Sequence, residues 1–170
     1  MLKYLTPNAY YESLAAIKPE KLVQSGIKGV IFDLDNTITT WNNIEVEKAT
    51  IDWFVALHNA GIKACILSNN SMPRIKPVAG LLGIYCVEKA KKPLLTGYRR
   101  AMQTMGTNTQ NTLMVGDQLF TDIWGAKRLG LKGILVKPIS LEHEFMGTRF
   151  NRFWERRIMK AVQKRIPKEL

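Results

Sequence analysis

Residues 29–40, Gly29-Val30-Ile31-Phe32-Asp33-Leu34-Asp35-Asn36-Thr37-Ile38-Thr39-Thr40, limit the fold more than any other stretch of the chain. An apolar, β-favouring run from Val30 to Phe32 stops at a carboxylate, the pattern of a strand buried on both faces of a parallel sheet. Open α/β sheets bind their ligands at the C-terminal edge where such strands end. Asp33 and Asp35 are two positions apart, so an extended chain would turn both toward one side. Two carboxylates so close tolerate double ionisation only with a cation or a proton between them. The pair is therefore expected to hold a metal ion.

The same pattern recurs downstream. Ile62 to Leu67 is a second strand ending in Ser68-Asn69-Asn70, Ile84 to Val87 a third followed by Lys91-Lys92-Pro93, and Thr112 to Val115 a fourth ending in Gly116-Asp117. Gly133 to Val136 makes the last strand. Between them the spacing predicts helices from about Ile44 to Ala60, Pro73 to Leu82, Leu94 to Met105 and Leu119 to Leu129, with glycines at their ends. In the first of these, Ile51, Phe54, Val55 and Leu57 are expected to face inward. Tyr4 to Ser25 reads as a helical lead-in whose apolar face carries Tyr10, Tyr11, Leu14 and Ile17. Alternating strands and helices of this length predict a doubly wound, mainly parallel α/β sheet with helices on both faces.

A chain of 170 residues with 46% apolar content supports one domain, placed at 1–148 with its core at 28–138, and a distinct C-terminal segment at 149–170. Two cysteines, Cys65 and Cys86, lie in apolar β-like runs, which argues for buried reduced thiols and against a disulfide framework or a zinc cluster. No apolar run approaches the ~20 residues that cross a bilayer, and Met1 to Ile17 does not read as a signal peptide. A cytoplasmic location is expected.

The chemically capable side chains fall at strand C-termini: Asp33 and Asp35, Ser68 and Asn69, Lys92, then Asp117 and Asp122. In a doubly wound sheet those ends share one rim, so distant residues converge on one crevice. Asp33-Leu34-Asp35-Asn36-Thr37, Ser68, Lys92-Pro93, and Gly116-Asp117 with Asp122 resemble, in order, the four motifs of the haloacid dehalogenase superfamily of phosphatases. The Lys-Pro match favours Lys92 over Lys91, while His58 and His143 match no motif.

A phosphate ester needs a nucleophile, positive charge over the phosphoryl oxygens and a proton for the leaving group. Asp33 can attack phosphorus, and Asp35 is placed to serve as acid and then base. The resemblance implies Mg2+ held by Asp33, the Asp35 main-chain carbonyl and Asp117, a hard ion matched to oxygen ligands. Ser68 and Asn69 are expected to bind phosphate, Lys92 to neutralise the growing charge, and Asp122 to orient Lys92 or the metal's waters. Taken singly, Ser68 and Asp117 could instead cap turns or helices. Trp41, in the polar turn beyond Asp35, is either a substrate contact or part of the core.

The gaps between motifs leave no room for a large cap, so the site is expected to be open and suited to a bulky phosphorylated substrate. The layout also resembles the class IIIA branch that includes bacterial relatives of mitochondrial phosphatidylglycerophosphate phosphatase, which implies a lipid headgroup substrate. Polynucleotide 3′-phosphatases share that branch, and a protein phosphatase or a non-enzymatic adaptor for membrane or RNA stands as a further alternative.

The net charge of +11 is uneven, because residues 149–170 carry eight basic residues against two acidic ones. On a helix, Phe150, Phe153, Trp154, Ile158, Val162 and Ile166 gather opposite Arg152, Arg156, Lys160 and Lys164. Two readings are open: residues 149–168 lie on an anionic membrane surface, or they dock on their own domain. Nucleic acid is the weaker partner reading, since the aromatics are not interleaved with the basic residues.

Overall fold

The computed structural model describes residues 2–41, 43–140 and 157–167. Six strands form one all-parallel sheet: β1 Ala9–Tyr11, β2 Gly29–Phe32, β3 Lys63–Leu67, β4 Tyr85–Val87, β5 Thr112–Gly116 and β6 Lys132–Val136. Their spatial order is β1-β6-β5-β2-β3-β4. β2 and β5 are therefore central neighbours, paired Val30 with Leu113 and Phe32 with Val115. The strands that end in Asp33 and Asp117 lie side by side as a result.

Parallel strands buried on both faces need apolar side chains of both parities, and β2 supplies them. Val30 and Phe32 face one layer, with Trp53, Phe54 and Leu57 of α3 (Lys48–Asn59) and Ile75 and Val78 of α4 (Met72–Leu82). Ile31 faces the other, with Cys65, Met114 and Tyr98, Ala101, Met102 and Met105 of α5 (Leu95–Met105). Phe32, Trp53 and Phe54 pack edge to face with centroids 4.9 to 5.8 Å apart. The Trp53 Nε1 donates to the Ile17 carbonyl at 2.6 Å, tying the N-terminal segment to this layer. Cys65 is a free, buried thiol, and burial pushes its pKa up to about 12.

The helical lead-in expected over Tyr4 to Ser25 is instead broken up. Leu2–Leu5 (α1) and Pro19–Gln24 (α2) are helical, but Ala9–Tyr11 forms β1, an edge strand paired in register with Ile134 to Val136. Two consecutive tyrosines fit a pleated surface better than a helix, and pairing with β6 overrides the weak apolar periodicity. α3 starts at Lys48 rather than Ile44, and Val55 is 54% exposed, while Trp53 takes the inward position. The segment after β5 is a wide π-type turn, Leu119–Trp124, continued by a short helix, Gly125–Arg128.

Of the C-terminal amphipathic segment, residues 157–162 are helical and lead into a 3-10 turn, Gln163–Arg165. Val162 is fully buried, and Ile158 and Met159 pack on a cluster of Leu5, Leu119, Ile123 and Leu135. These positions dock on the domain, while Lys160, Lys164 and Arg165 stay exposed. Phe150, Phe153 and Trp154 lie outside the described residues, as does His143. No helix among the described residues is long and apolar enough to cross a membrane.

The aromatic trio makes the α3 layer sensitive to truncation. Phe54→Ala is expected to lower the unfolding free energy by about 3–4 kcal/mol, read from urea denaturation, because the vacated volume lies in a close-packed layer.

Candidate active site

Each chemical side chain of the site follows the end of a strand at one edge of the sheet. Directly after β2, the Asp33 amide donates to the Val115 carbonyl at 3.0 Å, prolonging the pairing with β5 by one residue. The chain then turns sharply. The Leu34 carbonyl accepts from the amides of Thr37, Ile38 and Thr39, and Asn36 takes a left-handed backbone at φ 61°, which asparagine tolerates better than most residues.

That turn breaks the alternation expected of an extended chain. Asp33 points into a buried acidic group with Asp117 and Asp122, whose ligand oxygens all lie within 4.8 Å of one another. The Asp35 carboxylate lies outside that group. It accepts from Asn70 Nδ2 at 2.5 Å and forms an ion pair with Arg74 at 2.7 Å. The expectation that Asp33 and Asp35 face a shared cation through their side chains is corrected accordingly. Burial and then the Asp33 charge raise the Asp35 pKa, against the opposing pull of Arg74.

Lys92 is the centre of the group. Its ammonium, with only 3% of the side chain exposed, bridges Asp33 at 2.6 Å and Asp122 at 2.8 Å. Burial alone would favour the neutral amine, yet Asp122 and Asp33 outweigh it and hold Lys92 above the usual lysine range. Lys91, by contrast, is exposed. Asn69, expected to contact phosphate, supports the main chain instead. Its Oδ1 accepts from the Lys92 amide at 2.6 Å and its Nδ2 donates to the Lys92 carbonyl. The side chain of Asn69 thus holds the backbone segment that carries the ammonium.

Asp122 is completely buried in the π-type turn, where it also accepts from the Gln118 amide at 3.0 Å. Gly116 makes its approach feasible, because any side chain there would run into the Asp122 carboxylate. Thr37 Oγ1 donates to Asp117 at 3.3 Å, and Ser68, 1% exposed, accepts from the Asn70 amide. Trp41 is half-buried at the end of the turn. Arg74 is a site residue that the sequence motifs miss; it lies on α4, 39 positions from the aspartate it pairs with, and no local pattern announces it.

Among the described residues, three carboxylates, Asp33, Asp117 and Asp122, gather around one ammonium, Lys92. A donor set made only of carboxylate oxygens suits a hard divalent ion. Asp33, Asp117 and Asp122 are the side chains that can hold it.

Parallel strands delivering a lysine-bridged acidic cluster to one edge define an enzyme of the doubly wound class. Residues 45–130 match the pattern of the haloacid dehalogenase-like hydrolases. The chain is 38% identical over 163 residues to probable phosphatase YqeG of Bacillus subtilis, covering 96% of this chain and 94% of that one. It is 29% identical over 155 residues to phosphatidylglycerophosphate phosphatase 1, chloroplastic/mitochondrial, of Arabidopsis thaliana, covering 84% of this chain and 43% of the longer plant protein. Among solved structures, a HAD phosphatase from Thermococcus onnurineus superposes with a TM-score of 0.55 at 16% identity, over 70% of this chain and 89% of that one. The chain belongs to the haloacid dehalogenase-like hydrolases, and within them it is a phosphatase acting on a phosphorylated substrate.

Arg74 supports the ionised form of Asp35, so its loss should favour the protonated form. In metal-free Arg74→Met protein, the Asp35 carboxyl carbon followed by NMR is expected to titrate at higher pH than in the parent; an unchanged or lower midpoint contradicts this pairing.

Proposed function

We propose that the protein is a Mg2+-dependent phosphomonoesterase working through an aspartyl-phosphate on Asp33. The observation that carries this reading is the buried Asp33-Lys92-Asp122 bridge with Asp117 beside it at the sheet edge. A bound Mg2+ would be held by Asp33 and Asp117, with the Asp35 main-chain carbonyl and Asp122 alongside, and would offset charge on the phosphoryl group.

A carboxylate oxygen of Asp33 attacks phosphorus, and the bond from phosphorus to the ester oxygen breaks. The departing alkoxide takes a proton from Asp35, whose buried setting raises its pKa. A water then attacks the same phosphorus and gives its proton to Asp35, and the bond from phosphorus to Asp33 breaks, releasing inorganic phosphate and restoring both carboxyl groups. Ser68 donates to a phosphoryl oxygen. Lys92 balances the charge of Asp33 and of the phosphoryl oxygens throughout. Asn69 and Asp122 are positioning residues for Lys92.

The substrate reading is a phospholipid headgroup of the phosphatidylglycerophosphate type. Two features support it. The stretch from Asp35 to Ser68 holds only the turn, α3 and β3, and the stretch from Asn70 to Lys91 only α4 and β4, so no inserted cap covers the site among the described residues. The plant relative and a second one from Chlamydomonas reinhardtii, 30% identical over 146 residues, bear the name phosphatidylglycerophosphate phosphatase. This chain spans about half the length of those relatives.

With Mg2+, the protein is expected to release phosphate from phosphatidylglycerophosphate vesicles faster than from a 3′-phosphorylated oligonucleotide or a phosphopeptide. Asp33→Asn should reduce turnover about a thousandfold or more, and excess chelator should abolish it. Undiminished turnover in Asp33→Asn removes Asp33 as the nucleophile; preference for the oligonucleotide or the peptide removes the lipid reading but keeps the chemistry.

A further inference from the structure

The sheet end opposite the catalytic edge carries a second concentration of positive charge. There an open cavity of about 560 Å3 is lined by Lys3, Tyr4, Asn8, Lys127, Arg128 and Lys132, together with residues 129–131. Asn8 precedes β1 and Lys132 opens β6, so the cavity lies at the N-terminal ends of these strands, roughly 15 Å of strand from the catalytic edge. No carboxylate is among these described lining residues.

Four cations around one cavity repel each other, and the fold holds them there. Lys127 is half-buried, and its ammonium donates to Asn8 Oδ1 at 3.2 Å, a neutral partner that also accepts from the Gly133 amide. Burial, and then the charge of Lys3, lower the Lys127 pKa. Arg128 is steadied by stacking 4.7 Å over the Trp124 ring. Elsewhere in the structure, buried or half-buried cations near the site are paired with acids: Lys92 with Asp33 and Asp122, and Arg74 with Asp35. At this cavity the compensating anion is not supplied by the described lining residues.

We propose that this cavity is a second anion site that binds a phosphate-bearing ligand away from the catalytic centre. Two or more negative charges match its four cations, and the Tyr4 ring, 45% exposed, offers an apolar face beside them. A soluble phosphate ester and a lipid phosphate headgroup share this chemistry.

The test uses the full chain with divalent metal chelated, so that the catalytic carboxylates repel anions and the reading is independent of activity. Inorganic pyrophosphate is titrated calorimetrically at low ionic strength, and in parallel the protein is sedimented with phosphatidylcholine vesicles containing phosphatidylglycerol. Lys3→Gln/Lys132→Gln changes two exposed residues, Lys127→Gln serves as an independent second variant, and Lys18→Gln/Lys76→Gln removes the same charge elsewhere. The cavity variants are expected to weaken binding about tenfold, and the control pair less than about twofold. Loss confined to pyrophosphate identifies a soluble ligand, and loss confined to vesicles identifies a headgroup. Absence of binding in both arms, or equal loss in the control pair, overturns the proposal.

Discussion

A single buried ammonium organises this molecule. Lys92 lies between Asp33 and Asp122, partners 59 and 30 positions away in the chain, and the three residues come from three different strand ends. Removing one partner of such a buried ionic group typically costs about 3–5 kcal/mol, because the remaining charge is left desolvated and unmatched. The bridge therefore makes the catalytic edge and the fold interdependent. All-parallel pairing brings the ends of β2 and β5 together, and the turn after β4 delivers the ammonium between them.

Around that ammonium, residues without reactive groups do the positioning. Asn69 clamps the main chain of Lys92 through both ends of its amide. Gly116 leaves the space that the Asp122 carboxylate occupies. Tyr98 spans from α5 to the π-type turn, its hydroxyl donating to the Thr121 carbonyl beside Asp122. The turn after Leu34 separates the two neighbouring aspartates: Asp33 joins the acidic cluster, and Asp35 is set against Arg74 and Asn70. Two carboxylates in one short motif thus acquire different electrostatic surroundings.

Much of this was legible in the sequence, for identifiable reasons. Val30 to Phe32 and Leu113 to Val115 are apolar on both parities and lead into carboxylates, so strand type, parallel pairing and edge placement all follow from one local pattern. The glycines after α4 and α5 mark helix ends through their left-handed backbone. What was not legible depends on partners far away in the chain. β1 is three residues long and exists through its pairing with β6, and Val55 faces outward because Trp53 and Phe54 take the inward positions on α3. Arg74 has meaning only once α4 packs near the Asp35 turn. The apolar stripe of Ile158 and Val162 would look the same on a membrane surface as against Leu5, Leu119 and Leu135, and only the tertiary contacts decide.

The buried Asp33-Asp117-Asp122 cluster around Lys92 is expected to take up one divalent cation. Titrating metal-free protein with Mn2+, followed by the loss of its free-ion electron paramagnetic signal, measures this without reference to any substrate. One ion per chain is expected, displaced by Mg2+, with binding weakened in Asp117→Asn to well below that of the parent protein. No saturable binding, or equal binding by the parent protein and Asp117→Asn, would contradict it.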